Sequence, residues 1–177
     1  FSFRYDGKTL GEWAWKPART TRRLDEQRSE HTLLYADVQT GLEVRCVAVE
    51  YHDFPIVEWT VYLKNSGTGD TPMVEDLLAL DTRFYRPGGS EFVLHHNLGS
   101  PCTPNDFQPL ETALKPDVSK RISAAGGRPS NSDWPYFNVA WPGAGVIVAV
   151  GWPGQWAADF TADATNGLQI RAGQERT

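Results

Sequence analysis

The chain has 177 residues, of which 40% are hydrophobic and 12% aromatic, and its formal net charge is -5 at pH 7. Its 17 Lys and Arg are outnumbered by 22 Asp and Glu, which argues against a nucleic-acid partner, because phosphate binding needs a basic face. No apolar run approaches the roughly 18 residues of a membrane span, so no membrane partner is expected either.

The first clear strands alternate apolar and polar side chains. Residues 42–50 over their first half, and residues 57–64, have this period of two, which is typical of half-buried strands. The short turn at residues 52–55 between them favours an antiparallel pair. Further strands are predicted within 73–84 and at 92–96.

Proline and glycine mark two loops in the second half. Residues 99–118 contain four prolines, which remove ladder donors, and we predict one long loop there. Residues 126–135 form a second polar loop. Four more strands follow at 136–141, 145–150, 156–160 and 168–171. Turns every 8 to 12 residues or so predict an all-β, antiparallel β-sandwich with little or no helix, as a single domain of residues 1–177.

Aromatic and polar residues gather in three of the predicted turns. Indole rings stack on sugars and their N–H groups need partners, while amides and carboxylates pair with sugar hydroxyls. The candidate carbohydrate-binding residues are therefore Asp53, Asn131, Trp134, Trp152, Gln155 and Trp156. The alternative is a structural role, with the rings closing one end of the sandwich and the polar groups satisfying turn backbone.

No catalytic, metal or cofactor site is predicted. A glycosidase needs two facing carboxylates, and no spacing enforces such a pair among Asp53, Glu58, Glu75, Asp76, Asp81, Asp106 and Asp133. The adjacent His95 and His96 point to opposite faces of a strand and cannot easily share one ion. A disulfide between Cys46 and Cys102 stays open.

Three groups of residues resemble glycoside hydrolase family 36, the α-galactosidases. They are Gly41–Val44 with Tyr51–Trp59 and Leu63–Gly67, then Gly126–Asn131 with Pro135–Phe137, and finally Gly145–Trp156. Over about residues 32 to 174 the chain is similar to the N-terminal β-supersandwich domain of that family, a galactose-mutarotase-like fold. The resemblance implies a (β/α)₈ barrel after this domain, carrying two catalytic aspartates. A barrel needs roughly 200 further residues, so we expect a fragment of a longer glycoside hydrolase.

The resemblance implies a non-catalytic module that supports the barrel, helps to bind a galactoside-like sugar and self-associates into homo-oligomers. It suggests that Asp53, Trp134 or Trp156 contributes to the sugar pocket. A free-standing carbohydrate-binding module is one alternative. An aldose epimerase-like enzyme is another, with His52 or His96 paired with Glu58 or Glu91. Both secreted and cytoplasmic locations stay open.

Overall fold

The computed structural model describes residues 1–86, 88, 91–116 and 118–175. It divides into two compact units, an N-terminal unit, Ser2–Asp76, and a C-terminal unit, Leu77–Thr177 with Phe1. The strand pairs with a described register are all antiparallel. The predicted all-β, antiparallel class with little helix is therefore confirmed, and the single domain stays a prediction.

The N-terminal unit consists of short strands and a four-stranded sheet. Its elements are β1 (Ser2–Tyr5), β2 (Lys8–Thr9), a 3₁₀ helix (Leu10–Glu12), β3 (Ala18–Arg23), β4 (Arg28–Ala36), β5 (Leu42–Tyr51), β6 (Ile56–Asn65) and β7 (Val74–Leu78), which crosses the unit boundary. The sheet orders are β2-β1-β7 and β3-β4-β5-β6. The antiparallel pair predicted around the 52–55 turn is the β5–β6 hairpin.

Burial in this unit is concentrated on a few residues. Leu42, Val44 and Cys46 alternate along β5 and are buried, as are Phe3 and Tyr5 of β1. Strand β3 is exposed along its whole length. Its sequence, Ala-Arg-Thr-Thr-Arg-Arg, has no apolar face, and this explains why the sequence predicted no strand there.

The C-terminal unit is a β-sandwich. Its strands are β8 (Leu80–Tyr85), β9 (Phe92–Asn97), β10 (Pro109–Leu114), β11 (Ser119–Ser123), β12 (Tyr136–Trp141), β13 (Ala144–Ala149), β14 (Trp156–Ala162) and β15 (Gly167–Gln174). They form one sheet of order β10-β9-β12-β13 and another of order β11-β14-β15-β8. Both sheets contribute side chains to one hydrophobic core.

Alternate residues of the central strands build that core. Phe92 and Leu94 of β9 meet residues such as Phe160 of β14 and Ile170 of β15. Each of these four is fully buried. The residues between them face outward, as the period of two requires. The outer face of each sheet is therefore free to carry polar side chains.

One loop prediction was wrong. Residues 109–114, placed in the long proline-rich loop, form strand β10. Pro109 is the first residue of β10, and β10 lies at the edge of its sheet. A proline is tolerated there because an edge strand does not need every N–H in a ladder. The true loop ends at residue 108.

The two cysteines do not form a disulfide. Cys46 is buried and Cys102 is exposed, and both are free thiols. Among the described residues, no helix has the length and apolar character needed to span a membrane.

Candidate functional site

Three loops meet at one end of the C-terminal sandwich. Strand β9 ends at Asn97, opposite the first residue of β10. Strand β12 begins at Tyr136, opposite the end of β13. The connections 98–108, 124–135 and 150–155 therefore lie together, and we call them the loop end. They carry four of the six residues that the sequence predicts to bind carbohydrate, and a fifth, Trp156, is the first residue of β14.

Backbone hydrogen bonds hold these loops together. The N–H groups of Gly99 and Ser100 donate to the carbonyl oxygens of Ser132 and Ser130, at 2.8 and 2.7 Å. The approach is so close that a Cβ on Gly99 would lie 2.0 Å from the Ser130 oxygen. Glycine is required here because only its bare Cα admits the neighbouring chain.

Asp106 organises the first loop. Its carboxylate accepts hydrogen bonds from the Ser100 hydroxyl, at 2.6 Å, and from the Thr103 backbone N–H, at 2.9 Å. The Ser100 bond, followed by the Thr103 bond, lowers the pKa of Asp106. An ionised Asp106 therefore keeps the loop in shape, and this is a structural role.

Phe107 and Trp134 form an aromatic pair beside this loop. Their ring centroids are 4.9 Å apart in an edge-to-face arrangement. The Trp134 backbone N–H donates to the Asn97 carbonyl oxygen, so the ring is held beside the end of β9. Trp134 is half-buried, whereas Phe107 is exposed. Phe107 is not among the candidates predicted from the sequence, although its place in a proline-rich loop was a signal.

Trp156 does not belong to this surface. Its side chain is 0% exposed and forms part of the hydrophobic core. Its Nε1–H donates a 2.6 Å hydrogen bond to the carbonyl oxygen of Pro129. With both ring faces covered, Trp156 offers no stacking surface to a sugar in this conformation.

Of Trp152 and Trp156, only Trp152 has a solvent-accessible indole ring. It is 42% exposed, in the turn that follows β13. A Cβ on Gly154 would lie 2.8 Å from the Trp152 Nε1 atom. The ring therefore packs over a bare backbone position while much of its surface faces solvent.

Gln155 and Asn131 are held in place by hydrogen bonds to other residues of the chain. The Gln155 side chain accepts a hydrogen bond from the Gly127 N–H and donates to Glu175 at 2.7 Å. The Asn131 backbone carbonyl accepts from the Ala125 N–H at 2.8 Å. These contacts join loop 124–135 to the end of β15. Because the Gln155 side-chain amide is used in these contacts, the Asn131 side-chain amide is the more available of the two for a ligand.

One guanidinium holds two carboxylates nearby. Arg121 forms ion pairs with Asp159 and Glu175. The hydrogen bond with Asp159, and then that with Glu175, raises the pKa of Arg121. Both carboxylates are engaged in these ion pairs, which gives them a structural role.

Asp53, the sixth candidate, lies in the N-terminal unit. It is exposed in the β5–β6 turn. The preceding His52 contacts Ser29 Oγ through Nε2 at 3.0 Å and Glu26 O through Nδ1 at 3.2 Å.

The histidine and glutamate pairs of the epimerase hypothesis have other partners. The Glu58 carboxylate accepts from the Tyr51 hydroxyl at 2.9 Å. His96 is buried, with Nε2 3.3 Å from Thr112 Oγ1. Over the described ranges, no group of three His, Cys, Asp or Glu side chains is arranged to hold a metal ion.

Comparison with known proteins identifies the fold. No family model matches the chain, and no curated protein does. The GH36 alpha-galactosidase AgaA from Geobacillus stearothermophilus matches with a TM-score of 0.72 at 14% identity, over 98% of this chain and 26% of that chain. A variant of AgaA in complex with stachyose matches with a TM-score of 0.72 at 15% identity, with the same coverage.

An alpha-galactosidase from Lactobacillus brevis matches with a TM-score of 0.60 at 13% identity, over 99% of this chain and 24% of that one. The chain thus spans about a quarter of the length of these solved structures. Structural similarity at identities this low establishes a shared fold, and the function must be argued from the residues of the site. The chain has the fold of a quarter-length segment of GH36 alpha-galactosidases, and the resemblance seen in its sequence is confirmed at the level of fold.

Proposed function

We propose that this chain is the non-catalytic N-terminal β-sandwich module of an α-galactosidase-like glycoside hydrolase. In this role it supports a catalytic barrel in the parent chain and contributes to sugar binding. The observation that carries the proposal is the match of 98% of this chain to 26% of the AgaA chain. A segment that is a quarter of such an enzyme leaves ample length for a catalytic domain.

The contacts of the acidic side chains support a non-catalytic role. Asp106 holds a loop, Asp133 accepts from the Ser123 N–H, and Glu58 accepts from Tyr51. Glu75 and Asp76 pair with Arg4. Each of these carboxylates is bound to a structural partner. A retaining glycosidase instead needs two carboxyl groups that face each other across a sugar, about 5–5.5 Å apart.

The loop end supports a contribution to sugar binding. Trp152 and Phe107 expose aromatic surface, and Asn131 and Trp134 lie in the loop between them in sequence. Aromatic faces with nearby amides suit the apolar and hydroxyl faces of a pyranose ring. Trp156 supports this surface from within the core.

Strand β6 supports a docking role. It is the edge of its sheet, and four of its large apolar side chains are 42–52% exposed, namely Ile56, Val57, Tyr62 and Leu63. An exposed apolar edge strand promotes association unless it is covered. We propose that the catalytic barrel of the parent chain covers it, with a second copy of this chain as the other candidate.

Two assays on the purified chain test the proposal. We expect no hydrolysis of p-nitrophenyl α-galactoside and weak binding of stachyose by isothermal titration calorimetry. Hydrolysis that persists through purification would refute the non-catalytic role. Micromolar binding of stachyose that is lost in Trp152→Ala would favour the free-standing carbohydrate-binding module.

A further inference from the structure

A second cluster of polar side chains lies on the outer face of the sheet β10-β9-β12-β13. The register places Glu111 of β10 and Asn138 of β12 on either side of His95 of β9. Asn97 and Tyr136 lie on the same face, two residues from His95 and Asn138. These five residues line a cavity of about 410 Å³, which we call the sheet groove.

The polar groups of the groove are poorly satisfied by the protein. His95 Nδ1 lies 3.4 Å from Glu111 Oε2, and both side chains are exposed. Asn97 donates to the Phe107 carbonyl oxygen at 2.9 Å, which holds it in place. Within the described chain, the Asn138 amide and the Tyr136 hydroxyl have no hydrogen-bonding partner. A donor and acceptor set without internal partners is suited to an external ligand.

Apolar surface adjoins these polar groups. Tyr136 is 49% exposed, and Ile147, which pairs with Asn138 across β12 and β13, is 61% exposed. Pro109 lies on the same face at the start of β10. The groove therefore combines an aromatic ring and aliphatic surface with one carboxylate, one imidazole and two amides.

We propose that the sheet groove binds a neutral sugar ring. A pyranose offers a C–H face for Tyr136 and hydroxyls for the Glu111 carboxylate and the Asn138 amide. A carboxylate in the groove disfavours phosphate and other anions. A metal ion is disfavoured because His95 and Glu111 are only two ligands, and structural sites use four.

The direct contact of His95 with Glu111 argues for binding rather than epimerase chemistry. An acid and a base that act on opposite sides of a sugar ring must be separated by that ring. His95 and Glu111 instead touch each other, so they form one side of a site. The groove proposal is independent of the proposed function, because it rests only on residues of this chain.

Nuclear magnetic resonance of the ¹⁵N-labelled chain tests the groove directly. The probe is D-galactose, titrated to roughly tens of millimolar, well above a weak millimolar Kd. We expect the Asn138 side-chain amide and the His95 ring to shift in a saturable way. Shifts confined to the Trp152 indole would support the loop end and overturn the groove, and no shift at either place would also overturn it.

Variants make the assignment specific. Asn138→Ala and Glu111→Gln should each weaken binding by about three- to tenfold, which is the loss of about one hydrogen bond. Glu26→Gln, at an exposed position in the β3–β4 turn, is the matched control and should leave Kd unchanged. Trp152→Ala should also leave the groove shifts intact. Equal affinity of the groove variants and wild type would contradict the proposal.

Discussion

The indole N–H of Trp156 donates a 2.6 Å hydrogen bond to the backbone carbonyl oxygen of Pro129. The donor lies in the core between two sheets, and the acceptor lies in loop 124–135. Isolated β-bridges join this loop to Leu98, directly after β9, and join Ala124 to Ser132 within the loop. A buried tryptophan thus fixes the loop that carries Asn131 and Trp134.

Trp156→Phe tests this anchoring role. The substitution removes the donor and leaves the Pro129 carbonyl without its partner, so we expect a loss of about 1–3 kcal/mol in the free energy of unfolding. Urea denaturation followed by circular dichroism measures it. The matched control is Trp152→Phe in the exposed turn, expected within about 0.5 kcal/mol of wild type. Equal effects of the two substitutions would contradict the distinction between the two rings.

Gly99→Ala tests the close approach of two loops. The new Cβ would meet the Ser130 oxygen at 2.0 Å, so a loop must move. We expect a destabilisation of about 1–3 kcal/mol, as for other overpacked sites. Gly151→Ala is the control, because a Cβ there meets nothing within 4 Å. Thermal unfolding of both variants checks the difference, and an unchanged midpoint for Gly99→Ala would show that the loops separate freely.

The lowered pKa of the buried His96 should make the stability of the fold depend on pH. Burial chiefly, with Lys120 adding to it, lowers the pKa of His96, while Asp133 opposes the shift. The unfolded chain takes up a proton as pH falls through about 6.5, and the folded chain does so only at lower pH. The unfolded state then binds more protons, so the free energy of unfolding falls as pH falls in this window.

His96→Gln should reduce that slope. Gln keeps a donor and an acceptor but does not titrate. Chemical denaturation at pH values between about 5 and 7.5 compares the slopes of variant and wild type. A variant with the slope of wild type would exclude His96 as its source.

Trp152→Ala tests the exposed aromatic of the loop end. Because the ring is 42% exposed, its removal should leave stability close to that of wild type. Under the proposed function it should weaken stachyose binding by about tenfold, equivalent to about 1.4 kcal/mol. Calorimetry of the folded variant makes the comparison. Unchanged affinity would remove Trp152 from the sugar site.

Leu63→Lys tests the exposed edge strand β6. Leu63 is 42% exposed on an edge strand, so under the proposed function the isolated chain should self-associate with increasing concentration. A charge on this strand should suppress association without unfolding the chain. Light scattering over a concentration series measures the mass. A wild-type chain that stays monomeric at every concentration would contradict an exposed docking edge.

The sequence by itself determined the all-β class and the residue types of the candidate surface. Alternation is a local property, so β5, β6, β9 and β12 could be predicted from their own side chains. Strand β3 could not, because its residues are polar on both faces. Strand β10 could not be predicted either. Its first residue, Pro109, is acceptable only because β10 lies at the edge of its sheet, and that position depends on which strands pair.

Only the tertiary structure separated the two indoles of the Gly151–Trp156 segment. Trp152 and Trp156 are four residues apart, yet one faces solvent and the other is 0% exposed. The strand register also brought Glu111, His95 and Asn138 together from three strands. Local patterns specify which side chains alternate. Long-range pairing and packing decide which face is buried, and hence which residues can meet a ligand.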